Sequence, residues 1–274
     1  LVPREMLEAI EQASQDSQFI SIENRRRGTC VRIVHLIAYE AEYFSQAVSI
    51  LKRFALVEPE NYANDPARER LKALFRCCLS GTQASPEERI EWVKEVVSST
   101  CQKERSLGLD LISEGLKTEG FVLVGGLEFG ARRRGFGWRP RTEEELRRWF
   151  RPLVELIALI GRQENTDGDK ARTVLGEAFP RLWGKVGIDG ELFAIAERLK
   201  VIDGWPQGWL GVKRTMQSKE QLSPSSFEQL KKLEQLLEPS DLLTEIRARV
   251  LARSTRPWEL DVLETGDIDN DTLS

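Results

Sequence analysis

Residues 44–55, with the sequence FSQAVSILKRFA, decide the fold class of this chain. Their apolar side chains recur at i, i+3, i+4, i+7 and i+11, the spacing of one stripe along a helix: Phe44, Ala47, Val48, Leu51 and Ala55. A helix with a single apolar stripe buries that stripe only by packing against a neighbouring element. The segment therefore predicts an amphipathic helix in a fold built from helices.

The same spacing recurs along most of the chain. Further apolar stripes comprise Leu71, Leu74, Phe75 and Cys78; Ile90, Val93 and Val97; Leu109, Ile112 and Leu116; Leu146, Trp149, Phe150, Leu153, Ile157 and Ile160; and Leu192, Ile195, Ala196 and Leu199. Pro152 lies within the longest stripe and should kink or restart its helix, because proline lacks an amide hydrogen. Residues 121–124 form the only short apolar run with strand character. The pattern predicts an all-α fold.

Helix start signals agree with these stripes. Predicted starts combine an oxygen-bearing cap with a following Pro or a Glu three residues later: Asp65-Pro66, Ser85-Pro86 with Glu88, Thr142 with Glu145, and Ser223-Pro224. Helices of roughly 12 to 20 residues joined by short loops predict an α-solenoid-like stack of helix pairs, with an irregular helical bundle as the alternative.

Two glycine-rich regions divide the chain. We expect an N-terminal helical block at residues 1–164 that includes a Gly/Arg-rich loop at 120–141, and a C-terminal helical block at 165–258. Between 165 and 206, Gly168, Pro180 and further glycines predict shorter helices. Residues 259–274 carry six acids and no base, which predicts an acidic linker or tail. The missing initiator Met and this acidic end predict a segment of a larger polypeptide.

Composition excludes several classes of function. The net charge of −4 argues against general electrostatic binding to nucleic acid or anionic membrane. No apolar run approaches the ~20 residues that span a bilayer, and the N-terminal residues lack the basic, apolar and small-residue order of a signal peptide, so we expect a soluble, cytoplasmic protein. The four cysteines lack C-x-x-C spacing and predict reduced core thiols, with Cys77 and Cys78 on diverging faces of a helix. His35, the only histidine, lies in an apolar run and is expected in the core.

The Gly/Arg-rich loop contains the candidate binding residues. Residues 120–151 hold eight arginines against four glutamates. Arginine binds phosphate or carboxylate through two hydrogen bonds, and aromatic rings stack on bases. The candidates are Arg132, Arg133, Arg134, Phe136, Trp138 and Arg139.

A structural role for the same loop is also open. In that interpretation Phe129, Phe136 and Trp138 wedge between helices, while the arginines pair with neighbouring acids or with helix C-termini. Gly130 and Gly135 have the spacing of a Walker A loop, but Phe136-Gly137 replaces the required Lys-Ser/Thr. The loop therefore does not predict nucleotide binding.

Residues 74–89 (LFRCCLSGTQASPEER), residues 129–140 (FGARRRGFGWRP) and Trp149 resemble helical regions of bacterial STAND and NACHT-like signal-transduction ATPases, many of which are suspected antiphage sensors. The resemblance covers mainly residues 70–160. It implies a helical arm that senses a ligand or holds an ATPase closed. The chain has neither a Walker A loop nor a Walker B strand, which excludes the ATPase core.

Together these observations predict a non-catalytic scaffold that recognises a protein or other domains of its own polypeptide. We expect no cofactor, no metal site and no membrane contact. The alternative is a nucleic-acid-binding module that uses Arg132 to Arg134, and a steep salt dependence of binding distinguishes it.

Overall fold

The computed structural model describes residues 3–59, 62–63, 66–120, 134–202, 205–218, 222–239, 244 and 246. Helices account for 69% of these residues, and no strand occurs among them. Globular proteins average about 30–35% helix. The predicted all-α fold is confirmed, whereas the possible strand at 121–124 and the acidic tail at 259–274 lie outside the described residues.

Twelve helices occur in the part of the chain that the structure describes. They are α1 (Pro3–Ala13), α2 (Ser17–Ile20), α3 (Arg27–Ile37), α4 (Ala41–Leu56), α5 (Ala67–Ala73), α6 (Pro86–Val97), α7 (Gln102–Gly115), α8 (Glu143–Gly161), α9 (Thr166–Leu182), α10 (Asp189–Leu199), α11 (Pro206–Gln217) and α12 (Pro224–Leu237).

Helices that follow one another in the chain commonly pack together, as α3 does with α4, α6 with α7, and α8 with α9. Other contacts join helices that are further apart, including α5 with α7, α6 with α8, and α9 with α11. A continuous buried cluster extends from Leu7 to Leu237. The distinction between solenoid and bundle, and the division at residue 164, stay predictions.

Most of the predicted stripes lie in the core, as expected. The stripe on α4 is fully buried, and the stripe on α8 is buried from Trp149 to Ile160. The prediction that Leu71 to Cys78 lie on one helix was wrong, because α5 ends at Ala73. Leu74 and Phe75 are still buried. Beyond the end of α5, the backbone carbonyls of Leu74 and Arg76 accept hydrogen bonds from Arg89.

Prolines and glycines inside α8 and α9 behave differently from the prediction. Pro152 does not restart a helix, since α8 runs without a break through it. Similarly, α9 contains both Gly168 and Pro180. Gly168 is compatible with the first turn because its amide donates to Asn165 Oδ1 at 2.9 Å. The prediction of short helices throughout 165–206 was therefore wrong.

Glycines also bring α9 and α11 into backbone contact. A Cβ on Gly176 would lie 2.5 Å from the Gln207 carbonyl oxygen, and one on Gly211 would lie 2.4 Å from the Gly176 carbonyl oxygen. Real Cβ atoms do not approach oxygen this closely, so these positions exclude every larger residue. The two helices meet through their main chains.

Three predicted helix starts are confirmed by their hydrogen bonds. The side chains of Ser85, Thr142 and Ser223 each accept from the amide three residues later. The prediction at Asp65-Pro66 was wrong, because α5 begins at Ala67 and Pro66 is its N-cap residue; Asp65 is not among the described residues.

A distant carboxylate caps α5 instead. Glu58 accepts from the amides of Ala67 at 2.6 Å and Arg68 at 2.9 Å. The same carboxylate forms a buried ion pair with Arg27. One side chain therefore joins the start of α3 to the start of α5.

The cysteines and the histidine were predicted with mixed success. Cys77 and Cys78 lie in the turn after α5 and not on a helix, so their predicted divergence was wrong. Their Sγ atoms are 3.8 Å apart. All four cysteines are free, but Cys101 is exposed and does not belong to the core. His35 is buried, as predicted.

Candidate functional site

Part of the Gly/Arg-rich loop is described from residue 134 onward, whereas Arg132 and Arg133 lie outside the described residues. Residues 134–140 run along the turn formed by residues 80–83. The Gly81 amide donates to the Phe136 carbonyl at 3.1 Å, and the Trp138 amide donates to the Thr82 carbonyl at 2.7 Å. These two hydrogen bonds fix the backbone on both sides of Gly137.

Gly137 is required at this junction for two independent reasons. Its φ of +89° lies in a region that L side chains rarely adopt. A Cβ would also lie 2.5 Å from the carbonyl oxygen and 2.6 Å from the amide nitrogen of Thr82. The turn and the loop therefore approach each other by direct backbone contact.

The turn itself is anchored to the end of α3. Thr82 Oγ1 donates to the Ala38 carbonyl at 2.6 Å, and the Gln83 amide donates to the Tyr39 carbonyl at 2.8 Å. The Tyr39 hydroxyl accepts from the Gly135 amide at 3.1 Å. The loop is thereby connected to α3 through Tyr39 as well as through the turn.

Arg134 attaches the loop to the end of α3. Its guanidinium lies 4.7 Å from the centroid of the Tyr39 ring and donates to the Leu36 carbonyl in the last turn of α3. It also pairs with Glu40 at 3.4 Å. Cations are favoured at helix C-termini, where backbone carbonyls carry partial negative charge. The structure thus places Arg134 in an attachment role, with only 6% of its side chain exposed.

Trp138 packs inward against the core. Its ring centroid lies 5.9 Å from that of Trp149 on α8, and the Arg89 guanidinium lies 5.2 Å from the Trp138 ring. The Trp149 indole nitrogen donates to the Gly115 carbonyl at 2.8 Å. Trp138 is half-buried and links the loop to α6 and α8.

Arg89 is the buried charge at the centre of this arrangement. It is fully buried on α6, and its Nη1 donates to the carbonyls of Leu74 at 3.2 Å and Arg76 at 2.8 Å. Its Nε and Nη2 have no hydrogen-bond partner among the described residues. Burial lowers the pKa of Arg89 to about 9, so the guanidinium remains charged at pH 7.

Phe136 and Arg139 point away from this cluster. Phe136 is 58% exposed, which corrects the expectation that it would wedge between helices, and Arg139 is exposed beside the half-buried Trp138. Phe129, the third residue of the predicted wedge, lies outside the described residues. We call the exposed group of Gln83, Gly135, Phe136 and Arg139 the Phe136 surface. It is an exposed aromatic ring and an exposed cation on a fixed backbone.

A separate cavity of about 300 Å³ lies among α6, α7, α8 and α9. Its lining includes Val97, Leu109 and the 60% exposed Leu159. Its charged residues pair with each other, since Arg105 Nε donates to Asp167 Oδ2 at 2.6 Å. The volume is at the lower end of the ~300–1,000 Å³ typical of ligand pockets. An entering group would meet both aliphatic side chains and polar ones, among them Ser98 and Gln163.

Sequence reasoning missed Arg89, Tyr39 and Thr82 as parts of the site. Arg89 had a detectable signal, because it shares helical spacing with the apolar residues Val93 and Val96. Tyr39 and Thr82 had none, since their role depends on contacts with residues 44 and 96 positions away in the chain.

No group of three or more His, Cys, Asp or Glu side chains suited to hold a metal ion occurs in the described part of the chain. Spanning a bilayer takes an apolar helix of about 20 residues, and none of the helices that the structure describes meets that requirement. No family model, curated protein or solved structure matches the chain.

Proposed function

We propose that this chain is a non-catalytic helical recognition module that binds a protein partner through the Phe136 surface. The observation that carries the proposal is the exposure of Phe136 on a backbone held by hydrogen bonds at residues 135, 136 and 138. Aromatic residues and arginine are enriched among the residues that dominate binding energy at protein interfaces. A preorganised anchor also avoids the entropy cost of ordering a loop on binding.

Charge defines the kind of partner that fits this surface. Arg139 and Arg141 are both exposed, and Arg141 follows Pro140 toward the start of α8. An acidic segment with one apolar side chain would pair with these cations while covering the Phe136 ring. The partner is a separate protein or another domain of the same polypeptide.

The resemblance to STAND and NACHT-like ATPases supports the second possibility. In that setting the chain is an arm that holds a signalling ATPase inactive until a ligand binds, as expected in antiviral defence. A solenoid-like stack of the helices would present the Phe136 surface on an extended scaffold. The proposal assigns no reaction and no cofactor to the chain itself.

A photo-crosslinking amino acid at position 136 tests the proposal directly. The matched control places the same amino acid at Val201, which is 85% exposed and far from the loop in sequence. We expect a specific protein adduct from position 136, but not from 201, in a lysate of the organism that encodes the chain. Equal labelling from both positions would contradict the proposal.

The crosslinked partner then permits a quantitative test. Phe136→Ala should weaken binding about 30-fold or more, as expected for a residue worth about 2 kcal/mol at an interface, while Val201→Ala should have no effect. If the adduct is nucleic acid, and its affinity falls steeply with salt through counterion release, the alternative function replaces this one.

A further inference from the structure

Two thiols lie side by side next to the loop but take no part in the Phe136 surface. Cys77 and Cys78 have Sγ atoms 3.8 Å apart in the turn that follows α5. Cys77 is buried, with its Sγ 3.6 Å from the Lys117 carbonyl oxygen, whereas Cys78 is half-buried. One thiol is therefore enclosed and the other reaches solvent.

Two arginines act electrostatically on this pair of thiols. Arg89 donates to the carbonyl of Arg76, the residue immediately before Cys77, and both Arg89 and Arg139 interact electrostatically with Cys78. Reactive cysteines occur in electropositive, partly exposed surroundings because the thiolate is the nucleophile. No carboxylate accepts a hydrogen bond from Arg89 among the described residues, so its charge is not neutralised by a direct partner.

We propose that Cys77 and Cys78 form an oxidant-reactive dithiol, in which Cys78 is the nucleophile toward hydrogen peroxide and Cys77 is the resolving thiol. The assignment follows from accessibility, since only Cys78 is open to a small reagent. It also follows from contact, since the Cys77 thiol is already in van der Waals range of the Cys78 sulfur. The inference does not depend on the protein-binding proposal.

Protonation of the two groups agrees with this division of roles. A hydrogen bond from the Cys77 thiol lowers the pKa of Cys78 to about 7, with Arg139 and Arg89 acting in the same direction against the effect of burial. The pKa of Cys77 is raised, first by that hydrogen bond and then by burial. Cys78 thus carries the thiolate while Cys77 keeps its proton.

The reaction balances in two steps. The Cys78 thiolate attacks one peroxide oxygen, the O–O bond breaks, and the departing hydroxide takes a proton to give water and a sulfenic acid. The Cys77 sulfur then attacks the Cys78 sulfur, the S–O bond breaks, and the Cys77 proton and hydroxide form a second water. The two thiols lose two electrons to the peroxide, and a disulfide between neighbouring residues results.

Such a disulfide should be easily reduced. Adjacent Cα atoms are about 3.8 Å apart across a trans peptide, whereas disulfides usually join Cα atoms about 4.4–6.8 Å apart. Strained disulfides have higher reduction potentials and are the labile or regulatory ones. The modification is therefore expected to reverse with a thiol reductant.

Peptide mass mapping of the whole chain tests the inference without any variant. Trypsin releases both thiols in the single peptide 77–89, whereas the exposed Cys101 lies in peptide 95–103. Limiting peroxide should remove two hydrogens from peptide 77–89 before it changes peptide 95–103, and dithiothreitol should restore them. Oxidation of Cys101 first would overturn the proposal.

Rate and trapping measurements provide the controls. At pH 7, a thiol with a pKa near 7 has about 16 times the thiolate of one near 8.5, but about fivefold lower intrinsic nucleophilicity. Cys78 should therefore react about threefold faster in the folded chain than in urea, and slower reaction in the folded chain would overturn the proposal. In Cys77→Ala, with folding checked by circular dichroism, dimedone should trap a sulfenic acid at Cys78. Failure to trap a sulfenic acid in this variant would also overturn the proposal.

Discussion

The guanidinium carbon of Arg89 lies 4.1 Å from the centroid of the Trp149 ring. This places a buried positive charge of α6 against the face of an aromatic ring of α8, where the ring's electron density attracts it. Because Arg89 also donates to the carbonyls of Leu74 and Arg76, it joins two helices to the segment that follows α5.

Removing this side chain should therefore be costly. Arg89→Ala would leave two buried carbonyls without donors and open a cavity between Trp138 and Trp149, and we expect the free energy of unfolding to fall by about 3 kcal/mol. Urea unfolding followed by tryptophan fluorescence measures it. Arg148→Ala, which removes a largely exposed partner of Glu87, should cost less than about 1 kcal/mol. Equal effects would disprove a central role for Arg89.

A pair of glycine variants separates backbone strain from close approach. Gly120 and Gly137 both have positive φ, but an added Cβ at Gly120 meets no atom of the described residues within 4 Å, whereas one at Gly137 does. Gly120→Ala should cost about 1–2 kcal/mol for the left-handed conformation alone. Gly137→Ala should cost about 1–2 kcal/mol more, because Thr82 must also move. Thermal unfolding of both variants measures the difference, and equal losses would show that the Thr82 contact is unimportant.

Among the carboxylates near the N-terminal helices, we expect substitution of Glu58 to lower the free energy of unfolding most. Glu58→Gln keeps the size of the side chain but leaves Arg27 buried without its counter-charge, so we expect a loss of about 3 kcal/mol in unfolding free energy. Glu91→Gln is the matched control, because its partner Lys94 is exposed, and it should change stability by less than about 0.5 kcal/mol. Denaturant titrations of both variants decide the comparison.

Acid should weaken the fold through His35. Burial, followed by the charge of Arg70, lowers its pKa to about 4 in the folded chain, against about 6.5 when unfolded. Between those values the unfolded chain binds more protons, so stability falls as pH falls, by about 3 kcal/mol over the whole interval.

The difference between wild type and His35→Gln isolates this contribution, because the chain contains no other histidine. Unfolding free energies measured from pH 7 to pH 4 should fall more steeply for wild type than for the variant. Parallel curves would mean that His35 titrates alike in the folded and unfolded chains.

Local patterns predicted the parts of the fold that depend on local physics. The stripe on α8 and the caps at Ser85 and Ser223 were correct because side-chain spacing and capping act within one or two turns. The two ends of α5 were not predicted correctly, since Glu58 caps its start and Arg89 binds the carbonyl of Leu74 after its end, and tertiary packing places both side chains there.

In the candidate site, too, the sequence predicted local features but not those that depend on tertiary contacts. Sequence composition indicated that the Gly/Arg-rich loop was unusual, and Trp138 packs against Trp149 as the structural interpretation expected. Composition did not distinguish Arg134, which is held against Tyr39, from the exposed Arg139. That distinction arises from contacts with the end of α3, about a hundred residues earlier in the chain.

The backbone contact between Gly176 and Gly211 determines the axial register of α11 on α9. Sliding either helix by one turn would bring a side chain into a space that currently holds none, since Arg172 and Pro180 lie one turn away from Gly176. A slide of one turn in either direction is therefore blocked. Since α12 packs on α11, its position is specified in turn by two residues that have no side chains.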